Sequence, residues 1–176
     1  FCCNRHICEC GCNSLLQNFQ ELRMEWSDRN KKPMENFAPG GSQRVWWQCL
    51  KKPCHVWQTS IANRTSHGKG CPFCINKLVC PCGCNSLWSL RPDLRDQWCN
   101  RNVKSMKQFP LMSGVKVWWI CLKFPCHIWQ SGVRERVRAK NTCSFCAEKR
   151  VCVCGCNSVW AKNTELRKEW SDKNQK

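Results

Sequence analysis

Val45-Trp46-Trp47-Gln48-Cys49, Cys54-His55-Val56-Trp57-Gln58 and Cys71-Pro72-Phe73-Cys74 follow one another in a single short stretch of the chain. Moved by 72 positions, the string returns as Val117-Trp118-Trp119-Ile120-Cys121, Cys126-His127-Ile128-Trp129-Gln130 and Cys143-Ser144-Phe145-Cys146. Working outward, Cys80-x-Cys82-Gly83-Cys84-Asn85-Ser86 occurs three times, with copies at Cys8 to Ser14 and Cys152 to Ser158. Leu22-Arg23 followed by Trp26 recurs as Leu94-Arg95 and Trp98, then as Leu166-Arg167 and Trp170. Gap-free coincidence at one period is the mark of a duplicated module. The register divides the chain into the tail of a truncated module (1–12), two complete modules (13–84 and 85–156) and the start of a truncated third (157–176). The chain is therefore expected to be part of a longer array.

Twenty cysteines in 176 residues have two common explanations, a secreted disulfide scaffold or an intracellular metal protein. The cysteines fall in C-x-x-C and C-x-C-x-C groups, too tight to staple distant parts of a fold. No apolar leader with a cleavage site opens the sequence, and no run approaches the ~18 apolar residues of a membrane span. Metal is the expectation, and with it a reducing compartment such as cytoplasm or nucleus, or a virion.

Local patterns point to short elements. Leu15, Phe19, Leu22 and Trp26, and likewise Leu87, Leu94 and Trp98, give one apolar face of a short helix, with Pro92 suited to a first turn. Val45 to Trp47 and Val56 to Ile61 are β-prone and flank the Cys49/Cys54 turn, which predicts a hairpin. Residues 36–43 and 63–70 are rich in Asn, Ser and Gly and read as loops. So small a unit needs help to stay folded, and metal would supply it. The eleven tryptophans are expected to fill the core around the metal rather than to serve as base-stacking platforms.

Zinc takes four thiolate or imidazole ligands in a tetrahedron. Cys71/Cys74 is one chelating pair, and Cys49 with His55 or Cys54 is the natural second; the next module offers Cys121, His127 or Cys126, Cys143 and Cys146. Counting Cys80, Cys82 and Cys84, each module holds enough ligands for two ions. Adjacent residues on a strand point to opposite faces, so Cys54 and His55 can serve different sites. The preferred sets are Cys49, His55, Cys71 and Cys74 for one ion and Cys54, Cys80, Cys82 and Cys84 for another. The second copy would repeat them, with Cys126, Cys152, Cys154 and Cys156 as its second set. The partial module contributes Cys2, Cys8, Cys10 and Cys12. The competing reading leaves the C-x-C-x-C cysteines free or merely packed. Cys3, Cys99, His6 and His67 break the repeat and read as incidental. About two to four zinc ions are expected. Closed sites of this kind are structural, and neither an H-E-x-x-H helix, a deaminase His-x-Glu nor a Gly-rich phosphate loop is present, so no enzyme is expected.

Twenty-nine Lys and Arg against 12 acidic residues give a formal net charge of +17, which suits a polyanionic partner, DNA before RNA. Candidate contacts are Lys51, Lys52, Arg64, Lys69, Lys123, Arg134, Arg136, Arg138 and Lys140. The alternation at 134, 136 and 138 would set three guanidiniums on one strand face to meet phosphates. The plainer alternative is a solvated basic hairpin edge.

Trp46-Trp47-x-Cys49, His55-x-Trp57, Ile61-Ala62-Asn63-Arg64-Thr65, Cys71-Pro72-Phe73-Cys74 and Asn85-Ser86-Leu87 with Leu94 and Trp98 resemble the probable zinc-ribbon, treble-clef repeat domain of bacteria, plants and large DNA viruses. The resemblance implies a small metal-stabilised α+β fold of tandem treble-clef-like modules. It implies Cys49, His55, Cys71 and Cys74 as zinc ligands, with Cys121, His127, Cys143 and Cys146 in the second copy. The sequence departs from the family pattern in its longer Cys-to-His spacing, with Cys54 inserted before His55, and in the Cys80/Cys82/Cys84 cluster. The viral members suggest a second expectation, a scaffolding component of a large DNA virus particle, a minor capsid or internal virion protein contacting capsid proteins.

Overall fold

A computed structural model of the chain describes residues 6–139 and 143–174. It divides into two compact units, Phe1–Asn85 and Ser86–Lys176, each built to the same plan.

In the first unit, helix α1 (Leu15–Asn18) starts where the Ser14 hydroxyl accepts from the Gln17 amide. The single helix expected from Leu15 to Trp26 is instead two pieces. The chain breaks at Phe19 (φ −141°, ψ 56°) and resumes as a 3₁₀ helix over Gln20–Glu25. The second unit repeats this with α3 (Leu87–Leu90), a break at Arg91 and a 3₁₀ helix over Pro92–Gln97. There Pro92 excludes Arg91 from helical geometry. The break brings Leu15 and Leu22, or Leu87 and Leu94, into the same core.

Strands β1 (Arg44–Gln48) and β2 (Val56–Ser60) pair antiparallel with Trp47 opposite Trp57. Strands β3 (Lys116–Ile120) and β4 (Ile128–Gly132) pair with Trp119 opposite Trp129. Period-two alternation sends Val45 and Trp47 inward and leaves Trp46 half exposed. The outer edge of β1 is not left bare. Asn30 accepts from the Trp46 amide and donates to the Trp46 carbonyl, both at 2.8 Å, doing with a side chain what a third strand would do with backbone. Asn102 does the same for Trp118. Trp26 stands edge-on to Trp47 at 5.4 Å and Trp98 to Trp119 at 5.3 Å, so tryptophan contacts make much of each core.

Ile61 was expected to extend β2. It opens helix α2 (Ile61–Thr65) instead, where the Ser60 hydroxyl accepts from the Asn63 amide and caps the first turn. The matching stretch of the second unit forms α4 (Val133–Arg138). In the third copy, α5 (Val159–Lys162) and α6 (Leu166–Glu169) leave Val159, Leu166 and Trp170 exposed. Their counterparts Leu87 and Leu94 are fully buried. Among the described residues no helix is long and apolar enough to cross a membrane.

Candidate metal centres

Each unit brings eight of its cysteine and histidine residues together in two four-residue clusters. Cys49, His55, Cys71 and Cys74 offer four ligand atoms within 4.8 Å of one another, as do Cys54, Cys80, Cys82 and Cys84. Cys121, His127, Cys143 and Cys146 form the third such group and Cys126, Cys152, Cys154 and Cys156 the fourth. Cys8, Cys10 and Cys12 also converge, as a group of three. Cys2, Cys3 and Lys140 lie outside the described residues. Cys99, His6 and His67 belong to none of these groups; Cys99 is a buried core residue, at the position held by Ser27 in the first unit.

The backbone shapes the first cluster before any metal is considered. Cys49 follows β1 directly, its amide donates to the His55 carbonyl at 3.0 Å, and the His55 amide donates to the Lys52 carbonyl at 2.9 Å. This closes a loop that presents both side chains to one side. Cys71 and Cys74 lie on a tight turn that leaves through Asn76, a residue held at φ 55°; Glu148 occupies the same left-handed geometry in the second unit at φ 57°.

The separations fit a tetrahedral ion. Sulfurs at about 2.3 Å from zinc stand about 3.8 Å apart, and a sulfur and an imidazole nitrogen about 3.6 Å apart. Cys49 and Cys74 are 3.5 Å apart, and His55 Nδ1 lies 3.5 Å from Cys71 and 3.4 Å from Cys74. In the second unit the corresponding distances are 3.6, 3.6 and 3.5 Å. A disulfide requires sulfurs about 2.05 Å apart, and the cysteines of the described residues are free. These residues are arranged to hold a metal.

Electrostatics agree. Burial opposes ionisation of Cys49, but the backbone amides of Lys52 and Lys51 outweigh it and bring the thiol below its ordinary value. Burial pushes Cys71 up to about 12. Burial also lowers His55, with Lys52 adding to the effect, which keeps the ring in the neutral form that a metal binds. Crowded thiols of this kind cannot all ionise together unless a cation joins them.

The C-x-C-x-C loop has one geometry in all three copies. Gly83 sits at φ 74°, Gly11 at 70° and Gly155 at 73°, which folds the sulfurs to the same side. Asn85 Oδ1 accepts from the Cys80 amide at 2.7 Å, while its Nδ2 donates to the carbonyls of Phe73 and Leu78 at 2.8 Å. That one buried amide ties the loop to the Cys71/Cys74 turn, and Asn157 repeats it. Residue type alone does not mark this asparagine as functional, although its place in the thrice-repeated string is a signal that could have found it. Replacing Gly83 by alanine adds a Cβ that meets nothing within 4 Å, so only left-handed strain remains, about 1 kcal/mol. Gly83→Ala is expected to lower the stability of the metal-loaded chain by that amount, read from its urea midpoint. An unchanged midpoint would mean that the loop does not hold this geometry.

The basic candidates divide. Lys51, Lys52, Lys69, Lys123, Arg134 and Arg138 are exposed. Arg64 is not a free cation: its side chain is 6% exposed, pairs with Glu25 at 2.6 Å and lies over Trp47 and Trp57. Arg136 is likewise buried, held by Gln97 Oε1 and covered by Trp119 and Trp129. The expected strand face of three arginines is therefore corrected. Residues 134–138 are helical, and on a helix the middle residue of an alternating triplet points away from its neighbours. Some tryptophans stay at the surface, each under a guanidinium: Trp46 under Arg29, Trp88 under Arg95 and Trp160 under Arg167.

Comparison with family models finds two tandem matches, over residues 22–77 and 94–149, to a family described as a probable treble clef zinc finger domain. No curated protein matches the chain.

Proposed function

Because the chain belongs to the probable treble clef zinc finger family, we propose that its two modules are zinc-stapled, non-catalytic binding units whose ligand is nucleic acid, DNA before RNA. Zinc suits the donor set: three thiolates and an imidazole at tetrahedral spacing favour a borderline-soft ion over magnesium or calcium. Cys49, His55, Cys71 and Cys74 would hold it in the first module and Cys121, His127, Cys143 and Cys146 in the second. Four protein ligands leave no open position for water or substrate, which supports a structural role for the ion.

The observation that carries the nucleic-acid reading is the charge. Net +17 already counts every carboxylate, so the ion pairs, several of which lie at the surface, leave that excess of cations unanswered. Lys51 and Lys52 flank the first metal loop and Lys123 recurs at the position of Lys51, all of them exposed. Lysines so placed meet phosphates and carry no base specificity.

Affinity for duplex DNA is expected to fall steeply with salt and to vary little with sequence. Every phosphate that a lysine neutralises adds about 0.9 to the steepness of log affinity against log salt. Lys51→Ala/Lys52→Ala/Lys123→Ala should therefore flatten the slope by about 3, read by fluorescence anisotropy over a salt series. Binding that ignores salt, or a slope unmoved by the triple substitution, would return the array to a purely scaffolding role, as in a minor capsid or internal virion protein.

A further inference from the structure

Beside the ligand set that the family resemblance implies, each module holds four further cysteines that converge as closely as that set does. We propose that Cys54, Cys80, Cys82 and Cys84, and equally Cys126, Cys152, Cys154 and Cys156, form a second, tetrathiolate metal site, and that His55 and His127 link the two sites of their module. The second site takes a thiophilic divalent ion of the zinc and cadmium class, because four sulfurs and no oxygen exclude hard cations.

Cys54 and Cys84 sulfurs are 3.8 Å apart and Cys80 and Cys82 3.3 Å. The second module gives 3.7 and 3.3 Å. These approach the tetrahedral spacing of about 3.8 Å. They come from two separate parts of the chain, the residue before the histidine and the C-x-C-x-C loop. Cys54 and Cys82 are exposed while Cys80 is buried, so the ion would lie at the rim of the module with protein beneath it.

The histidine makes the link. Nδ1 of His55 faces the first cluster, and Nε2 stands 3.2 Å from Cys84 Sγ; in the second module His127 Nε2 is 3.1 Å from Cys156 Sγ. A ring that ligates through Nδ1 carries its hydrogen on Nε2, and that N–H donates to a thiolate of the neighbouring site. The donated hydrogen bond relieves the negative charge of a tetrathiolate and fixes the ring for the first ion. The link rests on the zinc reading of the first site, whereas the tetrathiolate site stands without it.

The test uses the full chain loaded with the NMR-active isotope of cadmium. Two families of resonances are expected, the tetrathiolate one at higher frequency than the one with a nitrogen ligand. Cys82→Ser/Cys154→Ser should abolish the tetrathiolate signals of these two sites, keep the others, and lower the metal count in native mass spectrometry by one ion per module. An unchanged count, or an unmodified chain without tetrathiolate signals, overturns the proposal. The spectrum of the unmodified chain decides the matter even if the variant fails to fold. Cys74→Ser/Cys146→Ser losing no ion would instead defeat the first-site reading and leave the second intact. Proton–nitrogen correlation should show His55 and His127 protonated at Nε2, and protonation at Nδ1 would break the link.

Discussion

Removing metal under reducing conditions should unfold both modules. Near-ultraviolet circular dichroism from the buried tryptophans should vanish, their fluorescence should shift to that of exposed indole, and added zinc should restore both. The size of the effect follows from comparing two energies. A domain of this size is stable by about 5–15 kcal/mol at most, while structural zinc contributes about 10–16 kcal/mol of apparent binding energy that is folding energy. In each unit the core is completed by the ligands themselves. Cys49, Cys71 and Cys80 belong to the same buried cluster as Trp47 and Ile61, and His55 packs against Phe73 at 5.1 Å. Without the ion, mutually repelling sulfurs would sit at the centre of that cluster. A chain that keeps its tryptophan signal after complete chelation would show that apolar packing alone suffices.

Exchanging one side-chain group in each module should change their stabilities in opposite directions. Arg64 pairs with Glu25 in the first module. Moved by one period, Arg136 faces Gln97, and its Nε and Nη1 have no partner. Burial pushes Arg136 below its ordinary value, and the neighbouring Arg91 adds to that, so the second module bears a buried cation without a carboxylate touching it. Breaking a buried pair is costly because the surviving charge stays desolvated. Glu25→Gln should destabilise the first module by about 2 kcal/mol, discounted from a fully buried pair because the Glu25 side chain is 21% exposed. Gln97→Glu should stabilise the second by a similar amount, about 2 kcal/mol, a rise of about 10 °C in midpoint for a unit this small. Thermal unfolding at fixed free zinc reads both. Equal shifts in one direction would mean that the guanidiniums are held by their tryptophans rather than by charge.

The same pair shows what could be read from sequence and what could not. The repeat, the hairpin and the convergent cysteines were legible, because metal ligands need specific atoms at specific spacing and both constraints survive in the letters. Cys54 and His55 do turn to different clusters, but from the turn before β2 rather than by the strand alternation expected of them. The direction of the arginines was not legible from charge alone, since a guanidinium over tryptophan looks in sequence like one waiting for phosphate. Periodicity did not decide it either. Arg64 and Arg136 recur at one position and their side chains are buried, but Lys51 and Lys123 also recur at one position and are exposed. Ile61 misled for a different reason: its β-branched side chain favours a strand, but a helix begins there in both units, capped by the Ser60 hydroxyl in the first and by Gly132 without a side chain in the second.

Zinc-edge X-ray absorption on the purified chain examines the donor atoms themselves. The first shell should be mostly sulfur at about 2.3 Å with a minor nitrogen component at about 2.0 Å, three sulfurs to one nitrogen if only the histidine-containing sites are filled and a larger sulfur share if the tetrathiolate sites are filled too. A shell of oxygen and nitrogen alone, or a chain that binds no zinc and has its thiols joined in pairs, would contradict the account.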